Sequence, residues 1–209
     1  MPESNSPRTQ DQRRIEAERR LVLAAAELVG EIGPDNVTLA GVGQRAGYSR
    51  GLATHHFGSK AALMQRLVEA VTSQFRDAMA EQSQPDSPID QLWQLIDFYF
   101  AVVSDLHPVN RARLALWADA VASPSEDIKP QMLSADREFR EEIEKRIELA
   151  VTAGEVTAAV LPHGLATVII AMLRGVALQC LLDGQVDLAA AQHEIEQLLT
   201  ARLQIGRDG

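Results

Sequence analysis

The chain has 209 residues, 46% of them hydrophobic, which excludes wholesale disorder and allows one large domain or a small one fused to a larger one. A single cysteine, Cys180, excludes an intrachain disulfide and a cysteine-based zinc site, and points to a reducing compartment. The net charge of −9 is uneven: residues 1–60 hold 8 basic and 7 acidic side chains and residues 61–209 hold 12 and 22, so the acidity of the C-terminal part does not exclude a nucleic-acid partner at the other end.

Residues 1–11 are polar, rich in Ser, Pro and Gln, and read as a disordered arm without the apolar run of a secretory signal, so a cytoplasmic protein is expected. Helix follows. Leu21, Ala25, Leu28 and Ile32 form an apolar stripe that ends at Gly33-Pro34, while Arg13, Arg14, Arg19 and Arg20 crowd the first half. Those arginines read either as a basic arm reaching DNA or as a solvated helix start. Thr38 then caps a short helix stopped at Gly47, Ser49 is expected to cap a second from Arg50 to His56, and Ser59 caps a longer one to about residue 81.

After the break Gln82 to Pro88, periodicity predicts helices at about 88–105, 109–121, 126–153, 162–182 and 187–204, with no alternating strand anywhere. The class is therefore all-α, about nine helices: an arm (1–11), a three-helix DNA-binding unit (12–58), a connecting helix (59–81) and a larger body (82–209). Gly164 to Leu182 approaches the length and apolarity of a membrane span, but Arg174 at its centre is costly in a bilayer and a buried helix of a soluble body is favoured.

The segment Thr38 to Lys60 carries the chemistry. A glycine corner between two short helices holds the second away from the body, where its N-terminal residues can enter a major groove. Arg50 is placed to donate two hydrogen bonds to guanine, discriminating by about 1–3 kcal/mol. Gly51 leaves room for close backbone approach, Thr54 and His55 lie along the same helix, and Lys60 at the Ser59 cap suits a phosphate. In Thr38, Ala46-Gly47-Tyr48-Ser49 and His56-Phe57-Gly58-Ser59-Lys60 this segment resembles the DNA-binding region of the TetR family. The resemblance covers about 50 residues and implies DNA contacts from Thr38, Tyr48, Ser49, Arg50, Gly51, Thr54, His55, His56 and Lys60. Ala53-Thr54-His55 and Tyr48 depart from common family residues, so base preference does not transfer.

Other readings of the same residues are weaker. Gly47-Tyr48-Ser49-Arg50-Gly51 fits the nucleophile elbow of α/β-hydrolases, but a helix rather than a strand precedes it and no sheet surrounds it. His55 and His56 point about 100° apart on a helix and cannot easily share one ion, and His107, His163 and His193 are scattered, so neither metal nor cofactor is expected. A helical module that never meets DNA would fit the acidic body alone.

The resemblance further implies a homodimer built from the last two helices, and a regulator, usually a repressor, released from a palindromic operator in double-stranded DNA by a small effector. Thr167, Ala171 and Gly175 form a small-residue stripe, with Ile195, Leu199 and Leu203 as the facing apolar row. Trp93, Tyr99, Trp117, Phe139 and Met172 are the large side chains available to line an effector cavity, core packing being the alternative for each. No charged effector site stands out, which suggests an apolar or amphipathic effector and no membrane partner.

Overall fold

A computed structural model describes residues 10–105, 107–122 and 127–203, and among them it contains nine α-helices, one short 3-10 turn and no strand. The helices are α1 (Gln10–Ile32), α2 (Leu39–Arg45), α3 (Leu52–Phe57), α4 (Lys60–Ala80), α5 (Pro88–Ser104), α6 (Pro108–Ala122), α7 (Lys129–Thr152), α8 (Pro162–Leu182) and α9 (Leu188–Leu203). The 3-10 turn, Pro34–Asn36, joins α1 to α2.

Local chemistry sets most of these ends. Thr38 accepts a hydrogen bond from Gly41 N at 3.0 Å and Ser59 accepts one from Ala62 N at 3.1 Å, each satisfying an orphan donor of a helix N-terminus. The start of α5 is capped by two side chains. Ser87 accepts from Asp90 N at 3.3 Å, and Glu155, from the loop after α7, accepts from Ile89 N at 2.9 Å. A carboxylate there also suits the positive end of the helix dipole.

Two apolar cores result. The first joins α1, α2, α3 and the start of α4 through Leu21, Val29, Val42, Ala53, Leu63 and Leu67, and also takes in Ala112, Leu116 and Ala120 of α6 and Met132 of α7. The second fills the body between α5, α7, α8 and α9 through Leu92, Ile96, Ile147, Ile169, Leu173 and Leu199, with Met79 from the end of α4. Leu114, one step round α6 from the first-core residues, belongs to the second, so α6 is packed on both sides.

The structure departs from several expectations. Gln10 and Asp11 are already helical, while the arm at residues 1–9 and residue 126, the expected start of α7, lie outside the described residues. Ser49 caps nothing: α3 begins at Leu52 behind a turn in which Leu52 N donates to Ser49 O at 3.1 Å. Ile195, Leu199 and Leu203 are 5%, 1% and 0% exposed within the chain's own body core, so they are not an outward row for a second subunit. Their i, i+4, i+8 spacing marks a buried face, and periodicity alone does not say which partner buries it. The outward side of α9 instead carries Glu194, Gln197 and Leu198.

Helix α8 is long and apolar enough to cross a membrane, but it packs into the body through Leu165, Ala166, Ile169, Ile170, Leu173 and Ala177, and Arg174 is held by Asp136 of α7. Thr167, Val168, Ala171 and Gly175 lie on its exposed side.

Candidate nucleic-acid interface and effector cavity

The N-terminal unit is held by contacts that leave one side of α3 open. Arg45, at the end of α2, bonds Glu31 with both terminal nitrogens at 2.9 and 2.7 Å and Glu27 at 3.2 Å, tying α2 to α1. Arg66 on α4 bonds Glu18 at 2.8 Å, which ties α4 to the same helix. These charge-assisted bonds join three helices whose apolar faces are already buried, and so fix their relative angles.

The corner between α2 and α3 depends on two glycines. Gly47 has φ +77°, a left-handed conformation that favours glycine. Gly43 accepts from Tyr48 N at 2.9 Å, and a methyl group on it would stand 2.7 Å from Ser49 O, so α2 carries the following turn in direct backbone contact.

Ala53 points inward and is fully buried, leaving Ser49, Arg50, Gly51, Thr54 and His55 exposed together on the outer side. His56 is half-buried, with its ring tilted against Phe57 at 6.2 Å. Tyr48 is also half-buried, packed against the first core. The hydrogen bond that Arg20 donates to Glu16, and then the neighbouring Tyr48, raise its guanidinium above the ordinary range, which places an arginine of α1 beside the corner. Thr38 is spent on its cap, and Lys60 Nζ donates to Asp35 O at 2.6 Å, bracing the start of α4 against the 3-10 turn with two ammonium hydrogens left over. Sequence reasoning did not anticipate Gly43 or the Arg45 clamp, since each acts on a partner beyond its own helix.

In the body, a cavity of about 420 Å³ opens between α4, α6, α7 and α8. Of the large side chains expected there, Trp117 and Phe139 line it. Tyr99 lies behind it, 1% exposed and stacked on Phe139 at 6.3 Å, while Trp93 and Met172 pack against the body core away from the lining.

Charged side chains that did not stand out as a site in the sequence also border the cavity: Arg76, Arg113, Arg146 and Arg174 with Asp136, Glu138 and Glu142. Arg76 bonds Glu138 at 2.6 Å, Arg146 bonds Glu142 one turn earlier, and Arg174 bonds Asp136, which also accepts from Arg140. Arg174 lies over the Trp117 ring at 4.8 Å. Burial pushes the Arg113 guanidinium below its ordinary range, with Arg174 acting in the same direction and Tyr99 opposing. The tyrosine is pushed up by its own burial, against the charges of Arg113 and Arg174.

A signal for these residues does exist in the sequence. Arg113 interrupts Ala112-Arg113-Leu114-Ala115-Leu116-Trp117 and Arg174 interrupts an apolar helix, and a lone charge in such a setting calls for a buried partner.

Comparison with known proteins agrees with this architecture. Residues 21–67 match the model of bacterial regulatory proteins of the tetR family, and residues 88–204 match that of the BetI-type transcriptional repressor C-terminal region. The HTH-type transcriptional regulator BetI of Klebsiella pneumoniae is 30% identical over 153 residues, 68% of this chain and 77% of that relative. A BetI from Escherichia coli is 31% identical over 109 residues, 51% of this chain and 56% of that relative, so this alignment spans little more than half of its length. The crystal structure of a TetR transcription regulator from Haloarcula marismortui superposes with a TM-score of 0.78 over 91% of this chain and all of that one at 16% identity, a likeness of fold. The chain belongs to the TetR family of bacterial transcriptional regulators, with a body of the BetI type.

Proposed function

We propose that this chain works in the cytoplasm as a homodimeric repressor, not an enzyme, that holds a palindromic operator and leaves it when a small molecule fills the cavity. The observation that carries the reading is the outward cluster Ser49, Arg50, Gly51, Thr54 and His55, uncovered beside the buried Ala53 and presented by a corner that α2 supports through its backbone. That cluster has the size and chemistry for a major groove: an arginine for guanine, a threonine methyl for thymine, and a glycine that lets the backbone approach. Tyr48, His56 and the remaining hydrogens of Lys60 flank it as phosphate contacts, with Thr38 and Ser59 acting through the helix ends they cap.

In this reading residues 12–58 are the DNA-binding unit, 59–81 the connecting helix and 82–209 the effector-binding and dimerising body. Helix α4 connects the activities, because its first residue follows the α3 corner while Thr72, Phe75, Arg76, Met79 and Ala80 border the cavity. Its 21 residues span about 31 Å, so a small tilt at the cavity end is felt at the recognition end. A ligand moves this equilibrium only by the difference in its affinity for the two arrangements. Dimerisation is assigned to the outward side of α8, where Thr167, Ala171 and Gly175 let a second helix approach and Val168 is 51% exposed, continued by Leu198 of α9 at 60%.

Selection from random duplex DNA at near-physiological salt tests the reading. Enrichment of a palindrome that Arg50→Ala no longer binds supports it, and absence of any enriched sequence down to low salt rejects it.

A further inference from the structure

Four arginines and three carboxylates line the cavity between α4, α6, α7 and α8, and one of those arginines stands apart from the carboxylates. Arg76, Arg146 and Arg174 each bond a carboxylate, namely Glu138, Glu142 and Asp136. Arg113 bonds none. Its guanidinium lies 4.5 Å from the centre of the Phe75 ring and 5.3 Å from that of Tyr99, and its Nε and Nη2 are shut off from solvent with no hydrogen-bond partner. The Tyr99 hydroxyl behind it makes no well-formed hydrogen bond either, and the polar group nearest to it is Arg113 itself. A guanidinium with two nitrogens shut off from solvent, unmade hydrogen bonds and no carboxylate partner among the described residues is unfavourable unless something else supplies the charge.

We propose that the effector is an organic monoanion, a carboxylate on an apolar or aromatic body, whose head is taken by Arg113. The assignment rests on the ligand-responsive reading above and names the class of ligand. A planar carboxylate matches the two-pronged donor geometry of a guanidinium. Arg113 is the one lining arginine without a carboxylate, and a single guanidinium matches the one charge of a carboxylate better than the nearly two of a phosphomonoester. Beyond the head, Met79, Leu95, Leu114, Met132 and Phe139 offer an apolar wall, and a volume of about 420 Å³ suits a body of one or two rings or a medium chain.

The same geometry rejects a cation. A quaternary ammonium needs open aromatic faces. Here Arg113 covers Phe75 and Tyr99, Arg174 covers Trp117, and Phe139 is packed against Phe75 at 5.6 Å and Tyr99 at 6.3 Å. The net charge of the lining opposes a cation as well.

The test is calorimetric titration and thermal shift on full-length, DNA-free protein with two matched sets: 3-phenylpropanoate, 3-phenylpropanamide and (2-phenylethyl)trimethylammonium, and octanoate, octanamide and octyltrimethylammonium. The expected result is that at least one carboxylate binds tenfold or more tightly than its amide and that neither ammonium compound binds. Arg113→Gln should abolish that preference while the helical circular-dichroism signal persists, and Arg113→Lys should restore part of it. An ammonium or amide that binds as well as its carboxylate, two sets in which no carboxylate is preferred, or a preference that survives Arg113→Gln would overturn the proposal. Because the readout excludes DNA, loss of the anion site and failure of operator recognition are separately visible.

Discussion

Gly43 carries no side chain because Ser49 leaves no room for one: a methyl group there would lie 2.7 Å from the Ser49 carbonyl oxygen, closer than carbon and oxygen tolerate. The oxygen belongs to backbone and a Cβ is fixed in place by its own Cα, so neither can rotate away. Gly43→Ala must therefore push the turn before α3 outward, at a cost of about 1–3 kcal/mol. Thermal unfolding should show the loss. Operator affinity should fall further than stability explains, since the displaced turn carries Arg50; equal operator affinity in a folded variant would show that the corner is not the reading element.

In the proposed reading the serines and threonine of this region separate into structural and DNA-facing roles. Thr38 and Ser59 each satisfy a helix N-terminus, so Thr38→Ala and Ser59→Ala should each lower stability by about 1 kcal/mol. Ser49→Ala should leave the melting temperature in place and weaken DNA binding alone, because its side chain caps no helix. Paired melting and gel-shift measurements on the three variants decide the matter.

Acid should loosen the clamp between α1 and α2. The hydrogen bonds from Arg45 hold the Glu31 carboxyl below the usual carboxylate range, against a smaller opposing effect of burial. A carboxylate whose folded pKa is depressed contributes stability that is present above its unfolded value, about 4.3, and is lost as the pH falls through the lower folded value. Wild type should accordingly be more stable than Glu31→Gln at neutral pH, with the gap closing in acid. Denaturant midpoints for the two proteins across that range provide the check, and a gap that widens in acid would contradict the assignment.

Asp136 accepts from both Arg140 and Arg174 and is 13% exposed, so Asp136→Asn leaves two guanidinium groups without a counter-ion at the cavity wall. Breaking such a pair costs about 3–5 kcal/mol when it is fully enclosed, and about 3 is expected at this edge. Differential scanning calorimetry of the full chain measures it.

The two faces of the C-terminal helices should respond in opposite ways. Val168→Asp, on the exposed side of α8, should stay folded and weaken the proposed self-association, giving a smaller species than wild type at equal concentration. Leu199→Ala, 1% exposed within the body core, should instead cost about 2–5 kcal/mol and leave the association state of the folded fraction unchanged. Light scattering coupled to size exclusion separates the outcomes.

The residues that could be read from sequence are those whose chemistry is local. Thr38, Gly47 and Ser59 act on neighbours within a few positions, and the observed helix ends fall near those that caps and periodicity predict. Ser49 misled because a serine directly before Arg50 fits a cap, whereas the backbone uses residues 49–52 as a turn first. The cavity was hardest to read. Arg76 meets Glu138 across 62 positions and Arg174 meets Asp136 across 38, and such pairings follow from helix packing rather than from any pattern along the chain. The same holds for Ile195, Leu199 and Leu203, whose stripe is plain but whose partner is settled in three dimensions.

Helix α6 bears on how freely the two ends of such proteins can be exchanged. Ala112, Leu116 and Ala120 complete the apolar core beneath α1 and α4, and α1 comes so near that a methyl group on Gly30 would lie 3.3 Å from the Arg111 Cβ. A chain cut after residue 81 would strip this floor away and open the first apolar core to water. Chimeras that graft the first 81 residues onto a related body should therefore fold only when α6 of the recipient reproduces those small side chains, or travels with the graft.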